Sequence, residues 1–302
     1  MTGTVVKGIG GFYYVYDGSS VVMGKARGIL KRNKELIYVG DIVDFDIDDN
    51  DMDGDCVINS VIERKNYLTR PPVSNLDTLV VVFSLVQPDA NFPVIDKLIA
   101  GCEMKGIDPI ICISKTDLAN PESVKNVSDM YADVYAVVCI NGMTGEGVSD
   151  LIGLISSKRA ALAGPSGVGK STITNHILSS FNEIYVEYED IEQIAKTGGV
   201  SSKTGRGRHT TRHVEIFPLP DGTMLYDTPG FTSLDMTGLE PKDVGNLFPE
   251  IRRASGECKY ADCIHVNEPG CAVKQALDNR SIALSRYNSY VAITEEVNKW
   301  KR

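Results

Sequence analysis

The sequence predicts a multidomain protein: an N-terminal β-barrel, a central α/β domain, and a C-terminal α-helical module built around a metal-binding cluster. Three observations predict it. Residues 1–68 contain short stretches rich in Val, Ile and Tyr, separated by Gly, Asn and Asp turns. Residues 69–234 alternate apolar strands with helical stretches, the pattern of a doubly wound sheet. Residues 235–302 turn helical and are interrupted by Cys258, Cys263, His265 and Cys271.

In the first part the strands fall at residues 4–9, 12–16, 20–24, 41–47 and 56–62. Five strands in so short a span suit a small closed barrel, most often an OB-fold. Lys25, Arg27, Lys31, Arg32 and Lys34 lie between the third and fourth strands, near Phe12, Tyr13, Tyr14 and Tyr16 in sequence. Two readings stay open. Cations interleaved with aromatics suit single-stranded RNA, or the aromatics fill the barrel and the basic run is a solvated loop. Asp49, Asp51, Asp53 and Gly54 copy the start of a calcium loop, but the twelfth position is Ser60 rather than Glu, so a hairpin turn is expected.

Thr69-Arg70-Pro71-Pro72 reads as a linker. Beyond it, strands are expected at residues 79–85, 110–114, 134–140, 160–163, 214–217 and 224–227. The longest apolar run, residues 79–86, is too short to cross a bilayer, and residues 1–10 lack the pattern of a signal peptide, so a cytoplasmic protein without a membrane partner is expected. The net charge of −9 argues against a uniform coat of nucleic acid. That sum hides a polarity. Acidic residues crowd 44–55, whereas residues 196–213 carry Lys196, Lys203, Arg206, Arg208 and Arg212 and no carboxylate. Cys56, Cys102, Cys112 and Cys139 lie in apolar surroundings and read as reduced buried thiols.

Four segments of the middle part carry chemistry. Gly164-Pro165-Ser166-Gly167-Val168-Gly169-Lys170-Ser171 follows a strand and opens a helix at Thr172, the setting of a phosphate-binding P-loop. Its amides turn inward around phosphates, Lys170 reaches the β- and γ-phosphates, and Ser171 ligates Mg²⁺. Asp227-Thr228-Pro229-Gly230 ends an apolar strand, placing Asp227 by the Mg²⁺ shell and the Gly230 N–H by the γ-phosphate. Ser114-Lys115-Thr116-Asp117 ends another strand. There one carboxylate can accept from both N1–H and N2–H₂ of guanine, and the lysine stem can lie on the purine. Such a bidentate contact separates bases by about 1–3 kcal/mol. Asn141-Gly142, opening a glycine-rich loop through Gly147, offers amides to the guanine O6 or serves simply as a turn.

Cys258, Cys263, His265 and Cys271 are four soft ligands suited to one closed, structural Zn²⁺. A helical piece this small has little core, so metal binding would supply much of its folding free energy.

With guanine recognition first, then the base loop, the P-loop and Asp227–Gly230, the motifs stand in circularly permuted order. Flanked by a barrel and a Cys/His module, the chain resembles the ribosome-small-subunit-dependent GTPase A family along its whole length. The resemblance implies an OB-fold, a circularly permuted P-loop GTPase domain and a zinc-binding domain, at residues 1–68, 69–234 and 235–302. It implies a monomeric GTP hydrolase that binds GTP/GDP with Mg²⁺ and acts on the small ribosomal subunit, contacting its rRNA. It also identifies residues 204–211 as the first switch, in which Thr210 or Thr211 completes the Mg²⁺ shell. Phe231 stands where many GTPases carry a water-orienting glutamine, and the resemblance offers His209 instead. Two departures stand out. The family usually has Asn at Ser114, so a hydrogen bond between base site and P-loop is expected to shrink or vanish, and Asn141-Gly142 replaces the common Ser-Ala. The competing readings are an RNA-binding factor that uses GTP only for stability, and an ATP-using P-loop enzyme.

Overall fold

The computed structural model describes residues 1–32, 36–47, 56–181, 214–228 and 230–300. β1 (Thr2–Ile9), β2 (Phe12–Tyr16), β3 (Val21–Ala26), β4 (Ile42–Ile47) and β5 (Cys56–Val61) pair in the order 1-2-3-5-4, and β4 returns to β1. The β3–β5 pairing is parallel and the rest are antiparallel. This closes the expected OB-type barrel and leaves no free edge within it. Val5, Val15, Val43, Phe45, Cys56 and Ile58 fill the interior, and Leu30 of α1 (Gly28–Arg32) packs with them.

The middle part is built around a parallel sheet. β8 (Thr78–Ser84), β9 (Asp108–Ser114), β10 (Ala136–Ile140), β11 (Arg159–Ala163) and β13 (Met224–Asp227) run in the order 10-9-8-11-13, with β12 (Glu215–Pro218) antiparallel at one edge. Every residue of β8 is buried, as a central strand covered on both faces requires. Alternation then divides its side chains. Leu79, Val81 and Phe83 pack with Ile95, Leu98 and Ile99 of α2 (Phe92–Lys105) and, less deeply, α3 (Pro121–Ala132). Val80 and Val82 pack with Leu151 and Ile155 of α4 (Val148–Ile155) and Ile173 and Ile177 of α5 (Lys170–Ser179). The chain begins this sheet in its middle, winds outward to β10, and returns to the other side of β8. The crevice between the ends of β8 and β11 is therefore the topological switch point.

The barrel is not a separate bead. β1 pairs with β12 at Lys7 and Glu215, whose side chains form an ion pair at 2.8 Å, so one sheet of eleven strands runs from barrel to α/β domain. The expected linker is instead the turn of a hairpin, β6 (Tyr67–Thr69) and β7 (Pro72–Ser74). Leu68 and Val73 anchor it in the α/β core, and the Tyr226 hydroxyl donates to the Ser74 carbonyl at 2.8 Å. Adjacent prolines mark a turn, but nothing local reveals that its flanks are buried.

The C-terminal part comprises a 3-10 turn (Pro241–Leu247), α6 (Pro249–Ser255), α7 (Ala272–Asp278) and α8 (Leu284–Trp300). Its core of Val244, Phe248, Ile251, Val273, Tyr290 and Ile293 includes Ala100 of α2, so the module is seated on the α/β domain. Arg286 of α8 bridges the two. Its guanidinium, 1% exposed, donates to Asp96 of α2 at 2.6 Å and Glu250 of α6 at 2.7 Å, and lies 4.6 Å above the Phe248 ring. Among the described residues no helix is long and apolar enough to cross a membrane.

Candidate nucleotide site and metal centre

The phosphate, Ser114–Asp117 and Asp227 segments leave the carboxyl ends of parallel strands of one sheet: β11 and β13, which are neighbours, and β9, separated from β11 by β8. Between them lies a cleft of about 690 Å³ lined by Lys115, Ser166, Lys170, Ser171, Asp227 and Gly230 among others. The sheet has thus collected residues more than a hundred positions apart at one opening.

The P-loop spans from Gly164 to Gly169, the N-cap of α5. The Gly164 N–H donates to the Phe231 carbonyl at 2.9 Å, fastening the loop to the segment after Asp227. Lys170, in the first turn of α5, donates to the carbonyls of Gly164 and Pro165, both at 2.7 Å. Burial pushes its pKa down, a penalty that an anion beside it would offset. Gly230 lies directly against this lysine, since a Cβ there would come within 2.7 Å of Lys170 Cε. Any larger residue would displace the ammonium or the strand end. Ser171 and Thr172 are exposed in the same first turn, where helix N–H groups and dipole favour an anion.

Ser114 ends β9, 3% exposed. Its hydroxyl lies 2.7 Å from the Val168 carbonyl in the P-loop and 3.0 Å from the Phe83 carbonyl. The expected loss of a base-site-to-P-loop bond is thus not seen: the shorter serine reaches the loop backbone directly. Lys115 has a left-handed φ of 53°, and its ammonium donates to the Gln87 carbonyl. Asp117 is exposed in the turn beyond. The Thr116 N–H donates to the Ile140 carbonyl at 3.3 Å, drawing this turn toward the loop that follows β10.

That loop is braced internally. The Asn141 carboxamide oxygen accepts from the N–H groups of Met143 (2.9 Å) and Thr144 (3.2 Å), and the Gly145 N–H donates to the Asn141 carbonyl at 2.9 Å. Asn therefore does here what a side chain must do to hold a tight turn. Sequence reasoning missed His176 of α5, whose Nε2 lies 3.0 Å from the Gly142 carbonyl. Helical spacing puts Thr172 and His176 on one face, but only the fold shows which loop that face meets. His209, Thr210 and Thr211 lie outside the described residues, as does the acidic turn at 48–55.

In the C-terminal module the four expected ligands converge. Their ligand atoms all lie within 4.8 Å of one another. The Cys258 and Cys271 sulfurs are each 3.5 Å from His265 Nδ1 and 3.9 Å from one another. Corners of a tetrahedral zinc site with Zn–S near 2.3 Å and Zn–N near 2.1 Å lie about 3.6–3.8 Å apart, so the donor set fits such an ion. Burial lowers the His265 pKa, a shift toward the neutral ring that a ligand needs. The Tyr287 hydroxyl fixes the backbone there, donating to the His265 carbonyl at 2.7 Å. Cys56, Cys102 and Cys112 are buried and Cys139 is half-buried, and none of the four is in a disulfide among the described residues, as expected of reduced thiols.

The barrel aromatics divide. Tyr14 and Tyr16 pack against the α/β core and Tyr13 against the barrel core, while exposed Lys25 sits 4.6 Å above the Phe12 ring.

A P-loop carried on the fourth parallel strand of its sheet, after the Ser114–Asp117 and Asn141–Gly147 segments, defines a circularly permuted P-loop nucleotide-binding protein with a barrel before it and a Cys₃His module after it. Residues 61–237 match the RsgA GTPase family and residues 2–54 the RsgA N-terminal domain. The chain is 38% identical over 298 residues to the small ribosomal subunit biogenesis GTPase RsgA of Caldanaerobacter subterraneus subsp. tengcongensis, covering 98% of this chain and 96% of that one. It is 40% identical over 304 residues to the small ribosomal subunit biogenesis GTPase RsgA 2 of Listeria monocytogenes, covering 100% and 99%. Its fold matches the crystal structures of YloQ, a circularly permuted GTPase (TM-score 0.79, 32% identity, 100% and 96% coverage), and of YjeQ from Thermotoga maritima (TM-score 0.80, 30% identity, 98% of both chains). The chain belongs to the RsgA GTPase family and is a GTP hydrolase.

Proposed function

We propose that this GTPase acts on the small ribosomal subunit during its late assembly, contacting rRNA through the barrel and the Cys/His module. The observation that carries the nucleotide reading is the convergence of the P-loop, Lys115 and Asp227–Gly230 on one cleft at the switch point. The subunit reading rests on the relatives' names and on exposed Lys25, Arg27 and Arg32 of the barrel. Functional units at residues 1–68, 69–234 and 235–302 are the division we adopt.

In this reading residues 164–172 hold the phosphates of GTP or GDP, Ser114, Lys115, Thr116 and Asp117 serve the base, and Asn141 and Gly142 present amides to guanine O6. Ser171 and Thr210 or Thr211 hold Mg²⁺, with Asp227 beside its shell. Bound there, Mg²⁺ neutralises charge on the β- and γ-phosphate oxygens. Lys170 stabilises charge developing on those oxygens as the bond to the γ-phosphorus breaks, and His209 positions the attacking water. The protein works as a cytoplasmic monomer without a membrane partner. The deciding experiment is phosphate release from GTP with and without purified small subunits.

Asp117→Asn is expected to weaken GTP binding and favour xanthine nucleotides, because xanthine O2 accepts where the guanine amine donates. Competition binding with GTP and XTP measures this, and unaltered GTP affinity would remove Asp117 from the base site.

The Cys₃His cluster is expected to hold one structural zinc per chain. Replacing Cys263 or His265 with Ala should abolish the metal and expose the C-terminal segment to protease, while nucleotide still binds. Elemental analysis of protein purified without chelator that finds no zinc would refute the site.

A further inference from the structure

We propose that His176 is a positioning residue for guanine: it fastens the loop after β10 to the helix that carries the P-loop, so that base and phosphates are held at a fixed separation. The inference rests on the reading of residues 141–147 as the base loop. Its starting point is the 3.0 Å contact between His176 Nε2 and the Gly142 carbonyl. A carbonyl only accepts, so Nε2 carries the proton. The ring lies along the loop rather than touching it at one point. At Gly145, with a left-handed φ of 77° that favours glycine, a Cβ would stand 3.2 Å from His176 Nδ1, so the imidazole packs closely against the loop backbone there. One turn earlier on the same face, Thr172 Cγ2 would lie 3.7 Å from a Cβ at Gly142. The face of α5 bearing Thr172 and His176 therefore backs the loop at two places.

The geometry gives this contact a specific consequence. α5 begins at Lys170, and its N-terminal turn belongs to the phosphate site. The loop is stiff within itself through Asn141, so holding Gly142 and Gly145 orients the whole turn and its amides. Ser114 makes a second tie between base site and phosphate site, through the Val168 carbonyl. At Ser114 and at Gly142, then, a hydrogen bond ties the base site to the phosphate side. His176 supplies the one at the loop.

The test uses the full chain, with fluorescent GDP as probe and GTP, ITP and ATP as competitors. His176→Ala is expected to speed guanine-nucleotide release about 2–10-fold, the worth of one net hydrogen bond. GTP and ITP, which both carry O6, should weaken by that factor, while the weak competition by ATP stays as it was. His176→Gln, whose amide can donate from a similar position, should restore most of the loss. The proposal is overturned if His176→Ala leaves release unaltered, even with a lowered melting temperature. It also falls if ATP weakens equally, since His176 would then act through the phosphate loop, or if Gln fails to restore binding. Asp117→Asn run alongside separates the two levels. If it weakens GTP while His176→Ala is silent, the base site stands and this inference falls; if both are silent, the base-site reading itself has failed.

Discussion

Purified small ribosomal subunits are expected to accelerate GTP hydrolysis by this protein about 10²–10⁴-fold, the range that one well-placed group acting on the attacking water supplies. The reason lies at Phe231, one residue past Gly230. Its ring packs against the α/β core, and its carbonyl accepts from the Gly164 N–H. An apolar ring held in this way cannot orient water, so the free protein should turn over slowly. Residues 196–213 offer five basic side chains and His209. Phosphate contacts between those side chains and rRNA would bring His209 and Thr210 or Thr211 to the γ-phosphate. High salt should therefore reduce the stimulation, and His209→Ala should remove most of it while GTP and subunit binding persist. Equal turnover of free and subunit-bound protein would end the ribosome-coupled mechanism. Failure of the His209→Ala result alone would pass water positioning to another group. Such coupling would have a short path along the chain to the Cys/His module. From Gly230 at the lysine, the chain reaches Leu234, buried in the α/β core, and Met236, buried in the C-terminal core.

The second large effect concerns Arg286. Arg286→Ala is expected to destabilise the protein by about 3–5 kcal/mol, measured by denaturant unfolding. The substitution removes the guanidinium but leaves Asp96, 0% exposed, without its cation. It also strips a cation from the face of Phe248 and leaves Glu250 without a partner seen at 2.7 Å. Tyr131 still donates to Asp96 at 2.8 Å, but one hydroxyl does not compensate a buried charge. The double variant Arg286→Met with Asp96→Leu should recover much of the loss, because apolar replacement of a whole buried pair is often neutral. A cost below about 1 kcal/mol for Arg286→Ala would place the pair among ordinary surface bridges.

The two predictions draw on different kinds of information. The P-loop was legible because phosphate binding needs contiguous residues, with backbone amides turned inward between a strand and a helix. The same holds for the Cys258–Cys271 segment, since ligands for one ion lie close along the chain. The barrel and the α/β domain were legible because burial imposes a period on each strand and helix. The hairpin at Thr69-Arg70-Pro71-Pro72 was misread as a linker, since turn residues report the bend and not what its flanks pack against. The order of the motifs likewise announced the permutation, which the strand order of the sheet then displayed.

Pairings across the chain were decided by tertiary structure alone. Ser114 meets Val168 across 54 positions, His176 meets Gly142 across 34, and Arg286 meets Asp96 across 190. Ser114, His176, Arg286 and Asp96, taken alone, are ordinary polar residues of a strand end or a helix, and Val168 and Gly142 contribute only loop carbonyls. The sequence by itself determined which segments could bind phosphate, base and metal, because those capacities reside in neighbouring atoms. Which lone side chains would brace those segments depended on strand order and helix facing, because a hydrogen bond needs its partners within about 3 Å, and only the folded sheet brings them there.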